Sequence, residues 1–254
     1  MPTPPELAKV TANAAAAAEA SNAVAEAPTQ LHRYLHERFT SVQLLGAFLV
    51  YLLVMQFGYP VTRWGGDWVM GYQTGYALLF VFGALATRQR IGRSVIAVVS
   101  ALAFIAASVY FVAHPERPEA NLIAYAALIP YQLSLIWGLW RFMRMREADS
   151  LPDILAAICI YLLVGAAFVP AFGLLEAFAP GSFVDGGHPG APLAWQQFVY
   201  YSYVTLNTVG FGDVRPVSDW ARALSNLEAL IGVLYVAILI THLLGGIRRG
   251  GVTV

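Results

Sequence analysis

The sequence predicts an all-α integral membrane protein, and three observations carry that prediction. Of its 254 residues, 58% are hydrophobic and only 12% are charged, a balance foreign to a water-facing domain. Six apolar segments lie at about 41–59, 68–86, 94–113, 120–140, 151–177 and 221–247, each near the ~20 residues that a helix needs to cross the hydrocarbon. Between the last two runs the string Thr205-Leu206-Asn207-Thr208-Val209-Gly210-Phe211-Gly212-Asp213, small or β-branched and with two glycines one residue apart. Irregular backbone at membrane depth is tolerated only where it is buried in protein or lines a watery passage, so this string implies a pore. Gly210 and Gly212 can take backbone angles closed to other residues and so turn successive carbonyl oxygens to the same side.

Residues 1–30 are rich in Ala, Pro, Thr and Glu without bulky apolar periodicity, so they cannot bury enough surface to offset ordering entropy and are expected to form a disordered cytoplasmic tail. They lack the basic start and compact apolar core of a secretory signal. In 31–40, Leu31, Tyr34, Leu35 and Phe39 recur at helical spacing opposite His32, Arg33, His36, Glu37 and Arg38, which predicts a helix lying in the membrane interface. His32 and His36 could share a metal, but no third ligand stands nearby, and the alternative is a polar interfacial face.

The basic residues orient the spans. Lys9, Arg33, Arg38, Arg88, Arg90, Arg93, Arg141, Arg144, Arg146, Arg248 and Arg249 fall on one side, leaving Arg63, Arg117, Arg215 and Arg222 on the other. The positive-inside rule then puts both termini in the cytoplasm. Trp64 and Trp68 belong at the outer interface, Trp137 and Trp140 at the inner one. Residues 41–146 are expected to form a four-helix transmembrane domain. In its second helix the Gly71-Tyr72-Gln73-Thr74-Gly75 step permits close helix approach, as ordinary packing or as a dimer contact. Pro130 is expected to kink the fourth. The segment 120–140 contains no basic residue, so the membrane field has almost no lever on it.

Between 180 and 192, glycines, Asp185 and His188 read as an extracellular loop, with His188 either solvated or tuning conductance with pH. Residues 194–206 then form a helix too short to span, dense in aromatics: Trp195, Phe198, Tyr200, Tyr201 and Tyr203.

The order of these parts and the string Thr208-Val209-Gly210-Phe211-Gly212-Asp213 resemble the tetrameric potassium channels, over about 151–246. The resemblance implies an outer helix, a pore helix, a selectivity filter and an inner helix, here the pore domain at 151–247, with 248–254 as a short cytoplasmic tail. It implies potassium sites built from carbonyls of Thr208, Val209, Gly210 and Phe211 and the Thr208 hydroxyl, with Gly212 completing the filter. One chain supplies one wall of such a cage, so a homotetramer in a lipid bilayer is implied. Two departures stand out: Phe211 where the family more often has Tyr, and Asn207 where it usually has Thr. In relatives a carboxylate at the place of Asp213 bonds an aromatic of the pore helix, here Tyr200; the alternative is a solvated acid that concentrates cations at the mouth.

Glu228 lies within the apolar run of the sixth helix, where a carboxylate is costly without a partner, so a bond to Ser202 or Asn207 is expected in support of the filter. Gly232 stands where the family has its inner-helix glycine, as a gating hinge or as a close-packing site. Val236, Ile240 and Leu244 continue that face at steps of four, either as an inner-cavity gate ring, which the resemblance favours, or towards lipid. Gly245 and Gly246 are expected to end the helix, and with eight residues after them a soluble regulatory domain within this chain is not expected.

The function implied is passive, potassium-selective conduction in a cell (inner) membrane, weakly or not voltage-gated, with potassium as permeant ion and no cofactor. The alternatives are a non-selective cation channel and a non-conducting sensor or adaptor on a pore-domain scaffold. Zero formal net charge gives no reason to expect a nucleic-acid partner. A lone Cys159 excludes an internal disulfide, and no nucleophile triad, nucleotide loop or three-ligand metal pattern suggests an enzyme.

Overall fold

A computed structural model of the chain describes residues 42–86, 95–114, 117–144, 151–188 and 190–250. The chain divides between Gln43 and Leu44. The tail and interfacial helix expected at 1–40, with His32 and His36, lie outside the described residues, and the packing below concerns Leu44 onward.

The fold is helical throughout, apart from one short ribbon. Helix α1 (Val42–Phe57) leads through a 3-10 turn (Tyr59–Trp64) into α2 (Gly66–Ala86), followed by α3 (Val95–Ala113), α4 (Pro118–Arg144) and α5 (Leu151–Phe178). Strand β1 (Phe183–Asp185), helix α6 (Trp195–Leu206), strand β2 (Val214–Pro216) and helix α7 (Asp219–Gly250) complete it. Four of these helices, α3, α4, α5 and α7, are long and apolar enough to cross a membrane, so the chain is a multi-pass membrane protein of the all-α class.

Each of the first four helices buries one stripe. Leu45, Phe48 and Leu52 of α1, Tyr76 and Leu79 of α2, Ala97, Ala101 and Phe104 of α3, and Tyr131, Leu135, Leu139 and Phe142 of α4 are buried, at the three- and four-residue steps of one helical face. Phe104 stacks on Tyr131, centroids 4.9 Å apart. Polar groups bond between these helices too: Tyr72 donates to the Met55 carbonyl at 2.7 Å and Ser100 to Ser134 at 3.3 Å, and the Gln56 and Gln132 amides both donate to the Tyr76 hydroxyl, while the Tyr76 backbone carbonyl accepts from Tyr131 at 3.1 Å. Gly75 packs beside Met55 of α1, while a Cβ at Gly71 would meet open space, so only one end of the small-residue step makes a close approach. Helix α4 runs on through Pro130. In its last turn Arg144 lies 4.1 Å over the Trp140 ring, and Trp64 meets Trp68 edge-on at 5.5 Å.

Two expectations need correction. The stretch expected as an extracellular loop contains β1, which pairs antiparallel with β2 in the register Phe183↔Pro216, Val184↔Arg215 and Asp185↔Val214. Aromatic and β-branched residues favour the extended form, and Phe183 is anchored among Phe172, Phe198 and Tyr201. Glu176, near the end of α5, shapes the turn into β1 by accepting from the Gly181 and Phe183 amides at 2.8 and 3.0 Å. Helix α7, for its part, does not stop at Gly245 and Gly246 but continues to Gly250. A glycine costs a helix about 1 kcal/mol, less than leaving backbone groups unpaired in an apolar setting.

Candidate functional site

Helix α6 is set in place at both ends. At its start the Gln197 carbonyl oxygen caps the Ala194 amide at 2.7 Å, and the Gln197 amide group donates to Asp185 Oδ2 at 2.7 Å. Gln196 donates to the Thr62 hydroxyl at 3.1 Å, tying the helix to the 3-10 turn. Along its length Tyr203 donates to the Leu162 carbonyl at 2.8 Å, and Tyr201 shares a 2.6 Å hydrogen bond with Ser225.

Past Leu206 the backbone changes character. Thr208, Gly210 and Gly212 have φ of 55°, 61° and 81°, so every second residue is left-handed. Gly210 and Gly212 thus take backbone angles closed to most residues, and an alternation of hand can turn successive carbonyls towards one side. Thr208 was not foreseen, since a β-branched residue at positive φ is a true outlier, costing on the order of 1–3 kcal/mol. Its amide is held by the Thr205 carbonyl, and that of Val209 by the Val204 carbonyl, both at 2.9 Å. Among the described residues no backbone hydrogen bond ends on the carbonyls of Thr208, Val209, Gly210 or Phe211. These residues and Gly212 are exposed on the single chain.

The residues expected to support this string fall as follows. The ring of Tyr200 stacks on Phe211 at 6.4 Å and 8°, and Tyr200 and Asp213 line one crevice, close enough to interact, together with Tyr59, Arg63, Asp185 and Gln197. Asn207 bridges two elements: its carbonyl accepts from Tyr161 of α5 at 2.9 Å and its amide donates to the Tyr203 carbonyl at 2.8 Å. Glu228 is wholly buried, and of its two expected partners it meets Ser202, at 2.5 Å. Gly232 packs so tightly on α6 that a Cβ there would overlap the Leu206 carbonyl oxygen. Val236 and Ile240 are exposed, and the side chain of Leu244 lies outside the described residues.

Sequence reasoning missed several participants. Tyr161 and Gly165 lie in an apolar run that reads simply as a span. A Cβ at Gly165 would come within 2.9 Å of the Tyr203 ring, a close approach that no local pattern announces. Asp185 carries a fuller load than a loop acid, accepting from Gly187 at 2.8 Å, Gln197 at 2.7 Å and His188 at 3.1 Å. Next to it the Gly186 amide donates to the Asp213 carbonyl at 2.7 Å, which pins the C-terminal end of the string beside β1.

Residues 156–247 match the family model described as ion channel. The matched segment holds most of α5, the ribbon, α6, the irregular string and α7 to within a few residues of its end. Over 81 residues the chain is 35% identical to a two pore potassium channel c of Oryza sativa subsp. japonica, covering 32% of this chain and 16% of that protein. Over 82 residues it is 28% identical to the potassium channel protein kcv of Paramecium bursaria Chlorella virus 1, covering 31% of this chain and 82% of that protein. The chain thus spans about a sixth of the plant relative and most of the viral one. No solved structure matches.

Proposed function

We propose that this protein is a potassium-selective channel that conducts passively through a filter of Thr208, Val209, Gly210, Phe211 and Gly212. The observation that carries the proposal is the alternation of backbone hand at Thr208, Gly210 and Gly212, with carbonyls of that stretch unclaimed by backbone amides among the described residues. Oxygens presented in this way can replace the hydration shell of a cation. The ion-channel segment and the two potassium-channel relatives support the same function.

One chain lines only part of such a site, so four copies close around the axis, with Tyr200 and Asp213 at the outer mouth and Val236, Ile240 and Leu244 along the inner cavity. The uneven burial of the spans supports this assembly: 56% of the apolar window of α5 is buried within the chain, but only 17% of that of α7. The membrane is the cell (inner) membrane, with both termini cytoplasmic.

Vesicles holding only this protein are expected to pass potassium far faster than sodium and to be blocked by barium. A permeability ratio near one would make it a non-selective cation channel, and no flux at all a sensor or adaptor. Since no basic residue lies in 120–140 and Arg141 and Arg144 stand in the last turn of α4, conductance is expected to vary weakly with voltage. A steep conductance–voltage curve in planar bilayers counts against that expectation.

A further inference from the structure

Glu228 is buried on α7, one turn before Gly232, against α6 and α5. Its Oε1 lies 2.5 Å from Ser202 Oγ, and Ser202 Oγ lies 2.7 Å from the Gly165 carbonyl oxygen. A serine hydroxyl has one proton and can serve only one of these acceptors. An ionised Glu228 is acceptor-only, so one of the two short contacts would then set lone pair against lone pair. A proton on Glu228 satisfies both: the carboxyl O–H donates to Ser202 Oγ, and the serine O–H donates to Gly165.

The surroundings agree with that count. Among the described residues Glu228 Oε2 has no hydrogen-bond partner, and none of the described ion pairs includes Glu228. The titratable groups that face it are phenols, Tyr161 from α5 and Tyr201 and Tyr203 from α6. A carboxyl buried without a cation takes up a proton rather than bear an uncompensated charge.

We propose that Glu228 is held protonated and is a positioning residue, the donor of a relay Glu228–Ser202–Gly165 that fixes the pore helix between the outer and inner helices at the filter base. The relay runs between two glycines at which neighbouring helices press closest on α6. Gly165 brings α5 against Tyr203 and Leu206, and Gly232 brings α7 against the Leu206 carbonyl. The proton thus sits where three helices meet behind the filter rather than in the ion path, and it is distinct from the outer crevice of Tyr200 and Asp213.

Infrared spectroscopy of the full chain in lipid vesicles, with glutamate labelled at the carboxyl carbon, tests this at neutral pH. A protonated-carboxyl C=O band is expected in the unsubstituted protein, absent from Glu228→Gln and moved to higher frequency in Ser202→Ala, where the acid loses its acceptor. If Glu228→Gln instead removes an ionised-carboxylate band, the inference is overturned. Glutamine can still donate to Ser202, so potassium flux is expected to stay within about twofold in Glu228→Gln and to fall roughly tenfold in Glu228→Leu, which cannot donate. Equal losses in both variants overturn positioning by a donated proton. The inference rests on the proposed conduction only for this flux measurement; the infrared bands report the proton whether or not the chain conducts, so the two proposals fail separately.

Discussion

The region from α5 to α7 and the region from α1 to α4 both carry polar bonds between helices, and they differ in the backbone that those bonds hold. In the first, polar side chains at the level of α6 bond across elements: Tyr201 to Ser225, Ser202 to Gly165 and Glu228, Tyr203 to Leu162, and Asn207 to Tyr161. In the second, apolar faces meet, with Leu45, Phe48, Leu52, Leu79, Leu135 and Leu139 fully buried; Tyr51 and Tyr72 also bond between α1 and α2, Ser100 donates to Ser134 between α3 and α4, and Gln56, Tyr76 and Gln132 form a polar joint. The difference lies in the backbone. A helix satisfies its own amides and carbonyls and asks of its neighbours only shape. The alternating string at 208–212 has no such internal ladder, and Thr208 in it is strained, so its position has to be imposed by the groups around it. Small changes near the string should therefore cost more than larger ones among the first four helices.

The strongest challenge to that contrast is Gly232→Ala. The added methyl would overlap the Leu206 carbonyl oxygen, backbone against backbone, where no rotamer change gives relief. The substitution is expected to destabilise the protein by about 3 kcal/mol and to abolish potassium flux, read by thermal unfolding and by vesicle flux. Gly173→Ala is the control: its Cβ would come within 2.5 Å of the Tyr125 ring, a side chain that can move, and the loss should be nearer 1 kcal/mol. If Gly232→Ala keeps its stability and only slows opening, the glycine is a hinge and close packing is not its role.

Tyr161→Phe probes the same region with a smaller change. It removes the donor to the Asn207 carbonyl and leaves the ring in place against Tyr235. A loss of about 1 kcal/mol is expected, with flux reduced severalfold. Unchanged stability and flux would mean that Asn207 is held by its own bond to the Tyr203 carbonyl alone.

What the residues disclosed in advance follows the same divide. The helices of the structure stand near the expected apolar segments because length and hydropathy are properties of the segment itself. The string around Gly210 and Gly212 was legible because two glycines one apart in an apolar chain demand a reason. Glu228 could be narrowed to two partners, since a carboxylate in an apolar helix must find one. The rest depended on contacts between distant residues. Three-residue strands at Phe183–Asp185 and Val214–Pro216 are too short for periodicity, and their pairing is set by the packing of Phe183. Thr208 disfavours positive φ on its own, so only the turn at the end of α6 accounts for it. The knot of Gln56, Tyr76 and Gln132 depends on how each helix is rotated about its axis, which near-uniform apolar segments specify weakly. Gly245 and Gly246 misled because a local preference for ending a helix lost to backbone satisfaction.

Gln132→Leu sharpens the comparison from the other region. Gln132 is buried, and its carbonyl oxygen has no partner among the described residues, while the Tyr76 hydroxyl keeps a second donor in Gln56 at 3.0 Å. Replacing an incompletely satisfied buried amide with an apolar group of similar size should change stability by less than about 1 kcal/mol, in either direction, and leave flux intact. A loss as large as that at Gly232 would show that the first four helices are as tightly specified as the region around the 208–212 string.

The smallest effect is expected at the water-facing end, and it depends on pH. The Asp185 carboxylate accepts from the Gly187 amide, from His188 and from Gln197 of α6. The Gly187 hydrogen bond first, and then that from His188, hold its pKa below the ordinary 3.8. A carboxyl with a lowered folded pKa stabilises the fold above its unfolded value, and that contribution is lost as pH falls through the folded one. Stability should thus show an acid limb that begins near the ordinary carboxylate pKa and extends below it. Asp185→Asn should be slightly less stable at neutral pH and lack that limb, so that the two proteins converge in strong acid. Because His188 is 78% exposed, its share should shrink at high salt, whereas the bond to Gly187 should not. Thermal midpoints measured against pH at two salt concentrations separate these shares. An identical acid limb in both proteins would mean that the β1–β2 ribbon is tied to α6 by shape and not by charge.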